Sequence, residues 1–119
     1  MLEGLYMLEA DLYSKTGQMK AAEQALTQGL KNFPTSTRLL YARAMLYAQI
    51  DYISAAEKDL KAVLALMPEN AAALNALGYT LADRTERYQE AYEYIKQAYA
   101  LTPNDPAVID SMGWIAYRL

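Results

Sequence analysis

The chain has 119 residues, the size of one ordinary domain, and 54% of them are hydrophobic, so it has the means to bury a core rather than stay disordered. Its net charge of −3, with the 11 basic residues scattered along the chain, lacks the basic face that displaces counterions from nucleic acid. It has no cysteine and no histidine, which removes thiol nucleophiles, the common zinc ligands and the usual general base near neutral pH, and leaves the redox compartment undecided.

The opening Met1-Leu2-Glu3-Gly4 has no basic region, apolar stretch or cleavage site and does not read as a signal peptide. No apolar run approaches the roughly 20 residues that cross a bilayer, so no membrane insertion by this segment is expected. A first helix is predicted over 3–16, ended by Gly17 in the left-handed conformation, and a second over 19–32, stopped by Pro34. A third follows over 37–50. Asp51 reads as the N-cap of a fourth over 52–66. That helix is amphipathic: Ile53, Ala56, Leu60, Val63 and Leu64 share a stripe, while Glu57, Lys58 and Lys61 are expected to face water. Pro68 stops it and Asn70 caps a fifth helix over 71–83. The turn Asp83-Arg84-Thr85-Glu86-Arg87 is one residue longer than its counterparts. A sixth helix spans 88–101, and Asp105-Pro106, an N-cap followed by proline at the first helical position, opens a seventh over 106–118.

The prolines also set a period. Pro34 and Pro68 are 34 residues apart and Pro103 follows 35 later. In that register Ala10, Ala44, Gly78 and Gly113 share one column, and Tyr13, Tyr47, Leu81 and Ala116 share the next turn of the same face. Ala22, Ala56 and Ala91 form a third column, Leu26, Leu60 and Ile95 a fourth, and Gly29, Val63 and Ala98 a fifth. Small residues permit a close helix crossing and bulky ones a turn away fill the space around it. Tyr13 and Tyr47 are therefore expected to pack in the core. The same is expected of Tyr88, Tyr92, Tyr94 and Tyr99, because no basic stripe interleaves them as in a base-stacking platform.

These columns resemble the tetratricopeptide repeat (TPR). The unit Asn75-Ala76-Leu77-Gly78-Tyr79, then Tyr88-Gln89-Glu90-Ala91, then Ala98-Tyr99-Ala100-Leu101-Thr102-Pro103 is the best match, and the likeness covers residues 3–119. The resemblance implies an all-α, helical-hairpin solenoid, a right-handed superhelix of about three and a half repeats in a single domain over 1–119. The repeats fall at 3–36, 37–70, 71–105 and, in part, 106–119, so the chain looks like a fragment of a longer protein. The stretch from Asn75 to Leu119, with Gly78-Tyr79-Thr80-Leu81-Ala82-Asp83-Arg84 and Asp110-Ser111-Met112-Gly113-Trp114, is also similar to tetratricopeptide lipoproteins of Gram-negative bacteria. Some of those are outer-membrane adaptors for a periplasmic carboxyl-terminal processing protease and its cell-wall hydrolase substrates. That likeness implies the periplasm or the periplasmic face of the outer membrane, with the cytoplasm as the alternative. The lipid-carrying cysteine of such lipoproteins is not in this chain.

Carrying the family's inward first-helix positions across places a partner-binding groove on Met7, Asp11 and Lys15, on Tyr41, Met45 and Gln49, on Asn75, Tyr79 and Asp83, and on Asp110, Trp114 and Arg118. Tyr41, Tyr79 and Trp114 stand out as large residues expected to line the groove without supporting the core. Tyrosine, tryptophan and arginine are frequent interface anchors, and methionine adapts to varied shapes. The bland reading is that these residues only pack between neighbouring first helices. Family members that grip acidic chaperone tails carry lysine, arginine and asparagine at set positions. Here those positions hold Met7, Asp11 and Ala42, so that clamp is not expected.

No phosphate-cradling loop, metal-ligand spacing or catalytic dyad stands out, so no cofactor, metal or catalytic residue is assigned and the chain is not read as an enzyme. The leading reading is a protein-interaction module holding a protein or peptide ligand in its groove. A second is a self-assembly domain: helix 106–118 presents Val108, Ile109, Met112 and Ile115, and weak homo-oligomerisation through that face is expected. A third is a noncatalytic region of an enzyme whose active domain lies elsewhere.

Overall fold

Prolines, left-handed turns and short polar caps cut this chain into helices of nearly uniform length. The computed structural model describes residues 2–119. Among them are seven helices and no strand: α1 (Glu3–Lys15), α2 (Met19–Asn32), α3 (Thr37–Gln49), α4 (Ile53–Leu66), α5 (Ala71–Arg84), α6 (Tyr88–Leu101) and α7 (Pro106–Arg118). Each predicted edge lies within one residue of the observed one.

Ser36, Asn70 and Asp105 each precede an odd-numbered helix, and their side chains accept from the backbone N–H of Leu39 at 3.1 Å, Ala73 at 3.1 Å and Ala107 at 2.9 Å. Each bond satisfies a donor that the helix itself leaves unpaired. Leu2 holds the corresponding place before α1 and makes no side-chain cap.

Gly17 (φ 78°) and Asp51 (φ 69°) take the left-handed conformation. They close the same motif, in which Gln18 N donates to Tyr13 O and Tyr52 N to Tyr47 O, both at 2.8 Å. This corrects the reading of Asp51 as an N-cap. It is the turn residue that ends α3, and Tyr52 directly precedes α4. The longer turn after α5 avoids the left-handed conformation: Thr85 is extended at φ −139°, and its hydroxyl donates to Leu81 O and accepts from Arg87 N at 3.0 Å.

The helices form two compact units, Met1–Ala62 and Val63–Leu119, with the division inside α4. In the first unit α1 pairs with α2 and α2 packs against α3. In the second α5 pairs with α6, and α7 packs on both. The columns form the cores. Ala22, Ala56 and Ala91 have no exposed surface, Leu26, Leu60 and Ile95 are buried, and so are Gly29, Val63 and Ala98. Each fully buried aliphatic side chain of leucine size contributes about 1.5–3 kcal/mol.

Two glycines mark close approaches. A Cβ on Gly29 would lie 2.9 Å from the Tyr6 ring and 3.0 Å from Leu39 Cδ1, and one on Gly78 would strike Ile95 and come within 2.9 Å of the Ala91 carbonyl oxygen. Gly113 shares the column of Gly78, yet nothing lies within 4 Å of a Cβ built there, so no helix crosses at that position among the described residues.

Other expectations need revision. Tyr13 and Tyr47 are only half-buried. Of the α6 tyrosines, Tyr94 packs on the Leu74–Ala98–Val108 cluster, Tyr88 and Tyr92 are half-buried, and Tyr99 is exposed. The Glu57 side chain, expected in water, is largely covered and pairs with Lys61 at 2.8 Å. The apolar face of α7 is narrower than the sequence suggests, because Val108 and Ile115 are buried, Met112 is half-buried, and only Ile109 of the four is exposed. The reason is common to all of these: helical periodicity reports which side a residue is on, and the depth of cover depends on which neighbours are present.

Candidate partner-binding surface

In the first unit, α1 and α3 both contact α2, and this sets them side by side. Between them lies a cleft of about 270 Å³. Four of the six residues assigned to the first two repeats line it: Met7 and Asp11 from α1, Met45 and Gln49 from α3. Helical spacing explains the grouping, since residues four apart project from one face. Leu26 of α2 contributes to the lining, with Ser14 and Ala42 among the smaller groups. The cleft thus has two flexible thioether walls, a carboxylate, a hydroxyl and an amide. Lys15 is not part of the lining but pairs with Asp11 at 3.0 Å, and both side chains are more than half exposed. Tyr41 also lies outside the lining. It is half-buried, and burial raises the pKa of its hydroxyl.

In the second unit the remaining residues divide between two helices in contact, Asn75, Tyr79 and Asp83 on α5 and Asp110, Trp114 and Arg118 on α7. Tyr79, Asp83, Asp110 and Arg118 are exposed. Asp83 pairs with Arg84 at 3.1 Å. Asn75 and Trp114 are half-buried, and Asn75 Oδ1 and Trp114 Nε1 are covered without a hydrogen-bond partner among the described residues. Trp114 is held by its own helix: the Arg118 guanidinium lies 4.6 Å from its ring centre and 5.8 Å from that of Tyr88, and Tyr117 stacks on it at 6.1 Å. Of the three rings expected to stand clear of the core, only Tyr79 is exposed, at 47%.

A polar cluster in the first unit was not anticipated. Arg43 Nε and Nη2 donate to the two carboxylate oxygens of Asp59, each at 2.8 Å, and Nη1 donates to Thr27 Oγ1 at 3.2 Å. The same guanidinium lies 5.7 Å from the Tyr47 ring centre, and Tyr47 donates its hydroxyl proton to Glu23 at 2.9 Å. Burial and that bond push the Tyr47 pKa up to about 12. The bond to Asp59 raises the Arg43 pKa further above its ordinary value, so this arginine stays charged. The available signal was the position of Arg43 and Asp59 beside the core columns at Ala44 and Leu60. Among the described residues no group of three or more acidic or other metal-ligating side chains is placed to hold an ion, and no helix is long and apolar enough to cross a membrane.

Residues 3–112 match the tetratricopeptide repeat family. The chain is 54% identical over 114 residues to a TPR repeat-containing protein of Pseudomonas aeruginosa, covering 96% of this chain and 19% of that protein. It is 36% identical over 103 residues to bacteriophage adsorption protein A of Escherichia coli, covering 87% of this chain and 10% of the relative. This chain therefore spans a fifth or less of the length of these two relatives. Among solved structures, the first TPR domain of Spaghetti bound to an HSP90 peptide is similar with a TM-score of 0.88 and 21% identity, over 97% of this chain and 90% of that one. The second TPR domain of human RPAP3, in complex with an HSP70 peptide, gives 0.82 and 20%, over 97% and 98%.

Proposed function

This chain belongs to the tetratricopeptide repeat family, and from that premise we propose that it holds a segment of a partner polypeptide against its first helices, α1 and α3 in one unit and α5 and α7 in the other. The family is one of protein-interaction scaffolds and is not typically enzymatic. The observation that carries the proposal is the α1–α3 cleft, where Met7, Asp11, Met45 and Gln49 converge. Methionine walls adapt to a partner's apolar side chain, and the polar groups between them can pair with its backbone or a polar neighbour. Tyr79 supplies an exposed ring on the corresponding face of the second unit.

The HSP90 and HSP70 peptides belong to the neighbouring structures. An acidic chaperone tail is not the ligand proposed here, since Met7, Asp11 and Ala42 stand where the family's carboxylate-gripping members carry basic and amide side chains. The finer proposal is an adaptor of the bacterial cell envelope, acting on the periplasmic side for a protease or similar complex. It is supported by the likeness of residues 75–119 to Gram-negative lipoproteins, and the 54% identity to a TPR repeat-containing protein of Pseudomonas aeruginosa supports its bacterial setting alone.

The test is capture of partners from a periplasmic extract, followed by affinity measurements for Met45→Ala and Tyr79→Ala. Truncating an interface anchor costs about 2 kcal/mol or more, roughly 30-fold in affinity. A loss of that size with an unchanged melt supports the surface. Full affinity in both variants places the binding site elsewhere.

A further inference from the structure

Glu23 of α2 is a half-buried carboxylate with few partners. The Tyr47 hydroxyl donates to its Oε2 at 2.9 Å, and no other hydrogen bond or ion pair reaches it among the described residues. Arg43 lies beside Tyr47 but is directed to Asp59 and Thr27 instead. Lys20, on the same helix as Glu23, is exposed and forms no ion pair among the described residues. A carboxylate held by one neutral hydroxyl keeps most of its acceptor capacity.

Glu23 also lines a cavity of about 420 Å³, together with Met19, Lys20, Ile50 and Tyr52. None of these five residues lines the α1–α3 cleft. The left-handed turn at Asp51 sets Tyr52 in place, its N–H donating to Tyr47 O at 2.8 Å. The Tyr52 ring stacks on that of Tyr47, with centres 6.2 Å and planes 22° apart, and is 59% exposed. Tyr47 therefore fixes Glu23 through its hydroxyl and supports Tyr52 through its ring. The repeat does not require this arrangement. One repeat later Ile53, Ser54 and Glu57 replace Met19, Lys20 and Glu23, and Leu81, which has no hydroxyl, replaces Tyr47.

We propose that this cavity receives an arginine side chain of a partner polypeptide, at a site separate from the cleft. The chain already shows the recognition. Arg43 lies 5.7 Å from the Tyr47 ring centre while its donors meet the Asp59 carboxylate. A guanidinium in the cavity meets the same two groups, the ring of Tyr52 and the carboxylate of Glu23, with its aliphatic stem against Met19 and Ile50. An ammonium suits the site less, because it is compact, strongly hydrated and cannot stack. A free amino acid brings an α-ammonium for which the lining has no second carboxylate, so the arginine is carried in a chain.

The test is a titration of the isotope-labelled chain with acetyl-Gly-Arg-Gly-amide, followed by NMR. Saturable amide shifts are expected at Lys20, Glu23, Ile50 and Tyr52. Glu23→Gln keeps an acceptor for the Tyr47 hydroxyl and should weaken binding roughly tenfold or more by removing the charge. Tyr52→Ala, at an exposed position, should weaken it about two- to fivefold. Lys20→Gln removes a like charge and should strengthen it. The same peptide with citrulline in place of arginine has the shape without the charge and should leave the shifts unchanged. Absence of shifts at these residues, equal shifts with the citrulline peptide, or full affinity in Glu23→Gln would overturn the proposal. Stronger binding of acetyl-Gly-Glu-Gly-amide would give the site to an anion, and stronger binding of free arginine would overturn the polypeptide source. The shifts report the cavity residue by residue, so the result is independent of partner binding at the α1–α3 cleft.

Discussion

Arg43 and Asp59 meet across the α3–α4 hairpin in two parallel hydrogen bonds of 2.8 Å, at the positions that Leu77 and Tyr94 occupy one repeat later. The side chains are 20% and 4% exposed, so a charged pair stands where the next repeat uses packing. Taking two charges out of water costs nearly as much as their attraction returns, so the pair is a poor source of net stability but a damaging one to halve. Asp59→Ala should therefore cost about 3–5 kcal/mol. The double change Arg43→Leu with Asp59→Leu should be near neutral or more stable. Urea denaturation of both variants checks this, and a double variant as damaged as the single one would show that the pair contributes strongly on its own.

The missing cap before α1 offers a stabilising change. Leu2 sits where Ser36, Asn70 and Asp105 each hold a helix N–H. Leu2→Asp should add about 0.5–2 kcal/mol, provided α1 unfolds with the rest of the first unit. The same substitution at low pH, where the carboxyl is neutral, should add less. Thermal melts at pH 7 and pH 3 make the comparison.

Gly78 and Gly113 share a column but should respond in opposite ways. Gly78→Ala drives a methyl group into Ile95 and the Ala91 carbonyl, and should cost about 1–3 kcal/mol. Gly113→Ala meets nothing and removes a glycine from a helix, which should stabilise by about 0.5–1 kcal/mol. Chemical denaturation of the two single variants reads the sign of each.

Tyr47 should make stability fall at high pH. Its pKa is pushed up from 10.0 to about 12 in the folded chain, so the neutral hydroxyl is favoured by folding. That contribution is fully present below pH 10 and is lost as pH rises towards 12. Tyr47→Phe removes the titrating group and should flatten part of the decline. Melts of both proteins at intervals between pH 9 and pH 12 check it, and identical profiles would show that Tyr47 titrates alike in the folded and unfolded chains.

The helices, their edges and the core columns were legible in the sequence because their signals are local or repeated. Asn70 and Asp105 cap through bonds to residues two or three positions away, Pro34, Pro68 and Pro103 each stop a helix by lacking an N–H, and the repeat spacings of 34 and 35 residues superimpose Ala22, Ala56 and Ala91 without knowledge of any neighbour. The choice of Met7, Asp11, Met45 and Gln49 as one face came from the resemblance to the family, and the structure places the four around one cleft. What required the tertiary structure was the depth and partner of each side chain. Tyr79 and Trp114 share a column, yet one is open and the other lies under Arg118, because cover comes from the helices and side chains that happen to adjoin each position. Arg43 found Asp59 across a hairpin, and Leu5 and Leu39, alike in type and register, differ in cover, with Leu39 packed against α2 and Leu5 half exposed among the described residues. Residue type sets which face a side chain belongs to, and the presence of the opposing helix decides whether that face is core or surface.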